Sequence, residues 1–281
     1  MIEAKIIADS ISQTNARLTT FQLVYPRMIH AELMTHRVFS RNASSSRAIP
    51  VAKIIQQVID NPAMPVYWGK NQKGMQAKEE LTGDALEQAK KIWLTARDAA
   101  VEQARKLVDI DLHKQIANRI LEPWHHIHVV VTATDFDNFF ALRCHPDAQP
   151  EIKVLAEQMR DLFFASKPYE LTQGMWHLPY VSRTGGMFVP AGDKSLIKAS
   201  VARCARVSYM THDNQNPTLE KDLELYQQLL SSVHMSPFEH PATPMTDPNQ
   251  YSGNFRGWVQ YRKMIKGECY TNYDPRSVKS N

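Results

Sequence analysis

Short β-branched runs alternate with longer segments of helical periodicity along the chain. Their apolar and β-branched content predicts strands over residues 2–8, 20–24 and 126–133. Pro26 suits the first turn of a helix that would place Ile29, Leu33 and Met34 on one face. Apolar spacing and helix-favouring composition predict helices over residues 26–36, 51–60, 78–109, 112–120, 135–143, 150–165, 194–207, 217–232 and 254–266. This alternation predicts an α/β or α+β fold.

Polar and proline-rich stretches separate these elements. Residues 39–50 form a serine-rich break that a hydrophobic core would not favour, residues 65–77 read as a loop, and residues 236–248 are rich in proline. The composition changes most over 182–193, where three glycines and a proline fall within twelve residues. We therefore predict two regions, 1–190 and 191–281, that pack into the same domain.

Composition and charge narrow the class of protein. The 281 residues include 33 Lys and Arg, 29 Asp and Glu, and 43% hydrophobic residues, which is typical of a globular protein. Three widely spaced cysteines without a CxxC pair argue against a disulfide framework and predict a reducing, cytoplasmic location. With neither a long apolar run nor a signal peptide, we expect no membrane partner. A net charge of +4 permits an anionic ligand, and we expect no nucleic-acid partner.

Residues 36–47 are the densest polar cluster in the chain. They include three arginines, four serines, an asparagine and a histidine. Arginine binds phosphate in a bidentate manner, and serine hydroxyls with loop N–H groups can complete an anion site. A solvated loop with helix caps is the alternative interpretation, and composition alone leaves both open.

The histidine clusters do not predict a metal site. His126 and His128 would share one face of a strand, next to His125, but no carboxylate or cysteine joins them at ligand spacing. His234 and His240 flank a segment broken by proline. The chain also contains no GxGxxG, Walker, GxSxG or HExxH motif. We therefore expect no metal.

Several segments taken together resemble one enzyme family. The run THRVFSRNASSSR over 35–47 is similar to RHRxxSxNxxSxR, the signature of the flavin-dependent thymidylate synthases, the ThyX family. Residues 117–123 and 135–152 are similar to its ARxxLP element and to its later helix followed by AQxEI. Residues 205–208 and 234–240 resemble its ARVS and HxSPFEH elements. In the family these last two elements precede the signature, whereas here they follow it. The order therefore predicts a circularly permuted member of the kind that phages encode.

The resemblance implies a fold and a reaction. It implies a mixed α/β, helix-rich fold around a small central sheet, and one-carbon transfer to C5 of a pyrimidine deoxynucleotide, with dUMP converted to dTMP. It implies FAD as the cofactor, methylenetetrahydrofolate and NADPH as co-substrates, and a homotetramer. The enzyme would lie in the cytoplasm, or in the host cytoplasm if a phage encodes it.

The resemblance also assigns residues to roles. Arg143 takes the catalytic position, because a fixed arginine at the pyrimidine edge would stabilise charge that develops as C5 is activated. The positions expected to contact the nucleotide are Glu32, Arg37, Ser44, Ser45, Ser46, Arg47, Arg119 and Arg143. The positions expected to contact the flavin are His36, Arg37, Asn138, Ser208, His234, Ser236 and Glu239.

Departures from the family pattern bear on the substrate. Thr35 replaces the first arginine of the signature, Ala43 replaces an acidic residue, and Thr132 and Thr134 replace an asparagine and an arginine. Glu32 stands where the family has glutamine, so an acceptor replaces a group that both donates and accepts. An acceptor there would suit the amino group of cytosine better than a carbonyl of uracil. Two alternatives follow: 5-hydroxymethylation of dUMP or dCMP, and an inactive relative that binds nucleotide or nucleic acid.

Overall fold

A computed structural model describes residues 1–181, 186–188, 194–207 and 218–269, with the backbone alone for 186–188. Its strands are β1 (Glu3–Ser12), β2 (Arg17–Pro26), β3 (Ser40–Ala43), β4 (His126–Ala133), β5 (Tyr169–Leu171), β6 (Met175–His177), β7 (Gly186–Phe188), β8 (Ala242–Pro244), β9 (Tyr251–Ser252), β10 (Phe255–Arg256) and β11 (Trp258–Gln260). Its α-helices are α1 (His30–Met34), α2 (Val51–Asp60), α3 (Gly83–Asp109), α4 (Lys114–Ala117), α5 (Asp137–Arg143), α6 (Pro150–Ala165), α7 (Ser195–Arg206) and α8 (Leu219–Ser231). Short 3-10 helices cover Arg27–Ile29, Asn118–Trp124, Ser236–Glu239 and Tyr261–Met264.

The central sheet has the strand order β3-β4-β2-β1-β5. The first four strands pair antiparallel, with Phe21 opposite Val131 and Asn42 opposite Val130. β5 joins the edge of β1 in the parallel direction. The expected mixed α/β class around a small central sheet is confirmed.

Helices α5 and α6 cover one face of this sheet. Phe21 and Val131 from the strands pack with Phe139, Leu155 and Met159 from the helices, and all five side chains are almost fully buried. Burial of each large apolar side chain stabilises the fold by about 1.5–3 kcal/mol. This packing fixes α5, which carries Asn138 and Arg143, against the sheet.

A second sheet, β11-β8-β6-β7, packs on the other side of β1 and β2. Leu18 of β2 contacts Trp258 and Phe255, and the Trp258 indole Nε1 donates to the Ala16 carbonyl at 3.2 Å. Helices α7 and α8 form a further apolar cluster with Phe238 and Tyr261. Helices α2 and α3 form another with Trp124.

The polar break predicted over 39–50 was wrong in part, because residues 40–43 form strand β3. Ser40 and Asn42 are buried there, and each forms side-chain hydrogen bonds that offset the loss of water. The Ser40 hydroxyl donates to Asn254, and the Asn42 amide donates to the Cys204 carbonyl at 2.9 Å. Polar composition therefore did not indicate exposure in this segment.

The helix predicted over 254–266 was also wrong, because this segment forms β10, β11 and a 3-10 helix. Gly257 has φ of +75°, a backbone conformation that interrupts a helix, and a Cβ there would lie 2.6 Å from the Ala16 Cβ. The helix was predicted because the apolar residues at 255, 258 and 261 are three apart, a spacing that is also typical of a helix. Met34 also departs from its prediction, since it is exposed while Ile29 and Leu33 are buried.

Most other predicted elements are confirmed with shifted ends. The strand over 126–133 and the helices over 51–60 and 150–165 agree with β4, α2 and α6. Helix α3 begins at Gly83 rather than at 78, because residues 79–81 pair with the preceding loop. The Lys70 N–H donates to the Glu79 carbonyl, and the Leu81 N–H donates to the Trp68 carbonyl. The predicted boundary over 182–193 lies largely outside the described residues. Among the helices that the structure describes, none combines the length and hydropathy that a membrane span needs.

Candidate active site

The signature segment runs along two neighbouring cavities. It leaves α1 at Thr35, forms β3 and reaches Arg47 ahead of α2. The first cavity, of about 370 Å³, is lined by Thr35, His36, Arg37, Val38, Asp135, Asp137, Asn138, Phe139, Leu142 and Arg143. The second cavity, of about 490 Å³, is lined by Arg41, Asn42, Ala43, Ser45, Arg47, Ala48, Gln115, His234 and Ser236.

Arg143 is held by three side-chain hydrogen bonds at the first cavity. Its Nη1 donates to a Glu32 carboxylate oxygen at 2.9 Å, its Nε donates to His36 Nε2 at 2.9 Å, and its Nη2 donates to the Thr35 hydroxyl at 3.3 Å. A guanidinium has five N–H groups, so two remain for a ligand. Thr35 and Glu32, which both differ from the family pattern, thus contact the predicted catalytic residue.

His36 is neutral in this environment. Burial, together with the positive charges of Arg143 and Arg41, lowers the pKa of His36 to about 4. Its ring packs edge-to-face on Phe139 and stacks on Phe39. His36 therefore acts as the acceptor that orients Arg143, rather than as a cation.

Arg37 and Arg47 differ from Arg143 in their surroundings. Both side chains are exposed, and within the described part of the chain neither guanidinium has a hydrogen-bond acceptor or a carboxylate partner. Arg37 lines the first cavity and Arg47 lines the second. No described residue occupies their donors, which suit an anionic ligand.

The two cavities differ in their acidic groups. Asp135 and Asp137 line the first cavity, and Asp135 is paired with Arg256 at 2.7 Å. No carboxylate is among the described residues that line the second cavity, which holds Arg41 and Arg47. The second cavity is therefore the more favourable place for a phosphate group.

The three consecutive serines of the signature do not act alike. Ser45 lines the second cavity. Ser44 is buried, and its hydroxyl accepts from the His128 backbone N–H at 3.1 Å. Ser46 is buried as well and donates to Glu122 at 2.8 Å. Alternation along the segment thus turns two of the three hydroxyls inward.

Two predicted contact residues, Arg119 and Glu239, are not among the residues that line the cavities. Arg119 pairs with Glu122 at 2.8 Å on the 3-10 helix Asn118–Trp124. Glu239 pairs with Arg262 at 2.6 Å. Ser208 lies outside the described residues. His234 and Ser236 do line the second cavity, where the Ser236 hydroxyl donates to the Asn42 side chain at 3.1 Å.

Thr132 belongs to a buried hydrogen-bonded chain that we call the inter-sheet chain. It runs from the Ser10 hydroxyl through His177, Thr20 and Thr132 to His240, with links of 2.7–2.8 Å. All five residues are fully buried, and burial lowers the pKa of both His177 and His240 to about 3. Thr132 therefore joins the two sheets instead of facing a cavity.

Among the described residues, the cysteines and the other possible metal ligands form no further site. Burial raises the pKa of the Cys144 and Cys204 thiols, which disfavours thiolate chemistry at both. Within the described ranges, no three His, Cys, Asp or Glu side chains cluster as a metal site would require.

Sequence reasoning missed Arg41, Gln115, Asp135 and Arg256 around these cavities. Arg41 and Asp135 lie inside segments that resemble the family, so the sequence did point to their neighbourhood. Arg256 lies in the segment that was predicted as a helix, and only the strand pairing around Gly257 brings it to Asp135.

The mixed α/β fold, together with an arginine- and serine-rich segment along two cavities, is that of a thymidylate synthase-like enzyme. The chain belongs to the family described as Thy1, thymidylate synthase complementing protein, whose model matches residues 13–169, more than half of the chain. The resemblance to this family is therefore confirmed. The matched segment ends before residues 205–208 and 234–240, so the permuted order stays a prediction.

Solved structures of similar fold are also known. Two are of the UMP/dUMP methylase PolB from Streptomyces cacaoi. The one bound with 5-Br dUMP shares 19% identity over 58% of this chain and 90% of that chain, with a TM-score of 0.49. The one bound with 5-Br UMP shares 20% identity over 58% and 89%, with the same TM-score of 0.49. No curated protein sequence matches the chain significantly.

Proposed function

We propose that this enzyme transfers a one-carbon unit from methylenetetrahydrofolate to C5 of a pyrimidine deoxynucleotide, and that it converts dUMP to dTMP with FAD as cofactor and NADPH as reductant. The observation that carries the proposal is the signature segment: it brings Arg37 to the first cavity and Arg47 to the second, neither with a partner among the described residues, and its His36 holds Arg143 in the first cavity. The reaction would take place in the cytoplasm, or in the host cytoplasm if a phage encodes the protein.

In this proposal the second cavity binds the nucleotide phosphate. Arg47 offers an unpaired guanidinium, Ser45 offers a hydroxyl, and no carboxylate is among the described residues of the lining to repel the anion. A phosphate is equally charged before and during the reaction. These residues therefore contribute binding rather than rate.

Arg143 supports the chemical step. C5 of the pyrimidine becomes nucleophilic only when negative charge on the ring is stabilised, and a preorganised guanidinium stabilises that charge as it develops. His36 and Glu32 hold Arg143 in place before substrate binds, so little reorganisation is needed. Glu32 also offsets part of the positive charge that the ring would experience.

The residues of the first cavity fit part of a flavin. Arg37 supplies unpaired donors for an anionic group, Asn138 supplies an exposed amide, and Phe139 supplies an apolar wall. The chemistry that a flavin supplies there is hydride transfer. His36 is a neutral acceptor, so Arg37 and Arg143 are the cations that line this cavity.

The expected contacts are divided between the two cavities of one chain. Among the flavin positions, His36, Arg37 and Asn138 line the first cavity, whereas His234 and Ser236 line the second. This division supports a homo-oligomer, which we propose to be a tetramer, in which subunits supply complementary parts of one site. Light scattering should give a mass above that of one chain, and an active monomer would contradict the proposal.

The activity can be tested directly. Purified protein incubated with FAD, NADPH, methylenetetrahydrofolate and dUMP should yield dTMP, which mass spectrometry detects as the gain of one CH2 unit. Omission of NADPH serves as the control, since no reductant then remains for the flavin. A protein that binds flavin and dUMP but forms no product would instead support the inactive, nucleotide-binding relative.

The contact between Glu32 and Arg143 favours a second candidate, 5-hydroxymethylation of dCMP. It places a carboxylate beside the residue that would meet the pyrimidine edge. An ionised carboxylate accepts hydrogen bonds, as the amino group of cytosine requires. A gain of one CH2O unit on dCMP would establish this alternative.

Glu32→Gln tests the choice of base without turnover. The amide restores a donor, so the affinity for dUMP relative to dCMP should rise roughly tenfold, the size expected for one hydrogen bond to a charged group. Equilibrium dialysis with both nucleotides measures the ratio. Glu220→Gln, on the exposed face of α8, is the matched control and should leave the ratio unchanged. An unaltered ratio in Glu32→Gln would remove Glu32 from base recognition.

A further inference from the structure

Arg41 lines the second cavity and is bonded to the wall of the first, although the family signature assigns no role to its position. Its side chain lines the second cavity together with Arg47 and Ser45. Its Nη1 also donates to the carbonyls of Met34 at 2.9 Å and His36 at 3.1 Å. These carbonyls lie at and just beyond the C-terminal end of α1, where backbone acceptors lack partners within the helix.

The segment that Arg41 holds is the wall of the first cavity. Thr35, His36, Arg37 and Val38 all line that cavity. The backbone of this turn also has local bonds, from His36 N to the Leu33 carbonyl and from Phe39 N to the His36 carbonyl, each at 3.2 Å. Its Val38 carbonyl accepts from the Asn254 side chain at 2.8 Å. Arg41 therefore supplies a direct side-chain connection from strand β3 to this turn, beside the indirect one that Asn254 makes between Ser40 and Val38.

The charge of Arg41 is not consumed by an acid. The Glu239 carboxylate acts on Arg41 electrostatically but makes no ion pair with it, and it is engaged by Arg262 at 2.6 Å. Within the described chain, the hydrogen-bond acceptors of Arg41 are the two carbonyls alone. Its planar guanidinium can serve two carbonyls while it presents other N–H groups elsewhere, whereas a lysine ammonium has no such fixed fork.

We propose that Arg41 is a positioning residue that holds the Thr35–Val38 turn against β3 and so couples the two cavities. A ligand in the second cavity shifts Arg41, and Arg41 shifts the turn that carries His36 and Arg37. Coupling of this kind is reciprocal, so each ligand changes the affinity of the other by the same factor. The inference rests on the proposed function only in the choice of dUMP and FAD as probes.

The test compares Arg41→Met, Arg41→Lys and Arg105→Met with the wild type. Arg105 is an exposed residue on α3 away from both cavities, so its variant controls for the loss of one arginine. FAD affinity is measured by fluorescence titration with and without saturating dUMP. In the wild type and in Arg105→Met, dUMP should change the FAD dissociation constant on the order of tenfold. In Arg41→Met this factor should fall to about one, and Arg41→Lys, which keeps the charge without the fork, should not restore it.

Hydrogen exchange in the ligand-free protein provides a second measurement. Amides of residues 35–39 should exchange faster in Arg41→Met, while those of α2 and α6 stay unchanged. Unchanged exchange at 35–39 would overturn the proposal, and so would wild-type coupling in a folded Arg41→Met protein. Faster exchange throughout the chain would also overturn it, because Arg41 would then be a general stabilising residue.

The two measurements keep this inference separate from the proposed function. If the wild type binds neither FAD nor dUMP, the proposed function fails. The exchange of residues 35–39 in the ligand-free variants still decides whether Arg41 positions the turn.

Discussion

Three arginines near the cavities differ in what already surrounds them. Arg143 contacts Glu32, His36 and Thr35, whereas Arg37 and Arg47 have no partner among the described residues. A guanidinium held by neighbours is preorganised to stabilise negative charge at one defined position. A free one adapts to an anion and gives up rotamer freedom when it binds. The three residues should therefore affect rate and binding differently.

Arg143→Ala should lower kcat about a hundred- to a thousandfold, because a single preorganised donor to developing charge contributes ~3–4 kcal/mol. Arg47→Ala should mainly raise KM, because it binds the phosphate equally in the ground and transition states. Steady-state kinetics on both variants measures the two effects. Arg143→Lys separates the effect of charge from that of geometry, because lysine keeps the positive charge and lacks the planar guanidinium.

Melting temperature and flavin absorbance are the controls for these variants. Arg143→Ala leaves Glu32 and His36 without their partner, so a modest loss of stability is expected. A folded Arg143→Ala protein with unchanged kcat would contradict the catalytic assignment. A parallel fall of melting temperature and flavin content would instead indicate a structural role.

At the scale of the element, strand β3 connects the signature to the C-terminal region. The Asn42 side chain donates to the Cys204 carbonyl on α7 and accepts from the Ser236 hydroxyl. Both partners lie more than 160 residues away in sequence. The family motif thus contains a residue whose contacts here stabilise the packing of distant segments.

Asn42→Ala should lower the free energy of unfolding by about 1–3 kcal/mol, because the buried Cys204 carbonyl loses its donor. Urea unfolding monitored by circular dichroism measures this change. Ser45→Ala serves as the matched control, since Ser45 faces the second cavity and its loss leaves no buried group unpaired. Equal stability of the two variants would mean that Asn42 does not hold α7 to β3.

Elements with strong periodicity were predictable and those defined by distant pairing were not. β4 and α6 follow directly from a β-branched run and from helical spacing after Pro150. β3 is polar and short, and it is a strand because β4 pairs with it. β10 and β11 depend on the positive φ of Gly257, which no local pattern reveals.

In the candidate site, too, features set by local sequence were predictable and those set by distant pairing were not. The resemblance assigned His36, Arg37 and Arg143 to the active site, and all three line the first cavity. It could not indicate that Ser44 and Ser46 turn inward, because that depends on the pairing of residue 44 with His128. It could not indicate Arg41 either, because a side chain that reaches two backbone carbonyls has no signature in sequence.

At the scale of the whole molecule, buried neutral histidines make stability depend on pH. Burial lowers the pKa of His177 and His240 to about 3, below the ordinary value of 6.5. Between pH 3 and pH 6.5 the native state therefore binds fewer protons at these histidines than the unfolded state does. The stability of the native state is unaffected by them above pH 6.5 and decreases as pH falls toward 3. At pH 5 each of these two residues should cost about 2 kcal/mol of stability.

Melting temperature measured from pH 8 to pH 4 should thus fall steeply below pH 6.5. His177→Gln removes one of the titrating groups, so its melting temperature should depend less on pH even if its stability at pH 8 is lower. A wild-type melting temperature that stays constant between pH 7 and pH 5 would show that these histidines titrate normally.

The inter-sheet chain limits how the protein can be divided. The family segment, residues 13–169, supplies Thr20, Thr132 and Leu18, but the groups that cover them, His177, His240 and Trp258, come from beyond its end. A chain cut after residue 169 would expose an apolar sheet face and leave two threonine hydroxyls without their histidine partners. The segment that carries the family signature is therefore not a transplantable module. Exchange between relatives can succeed only when both sheets are inherited together.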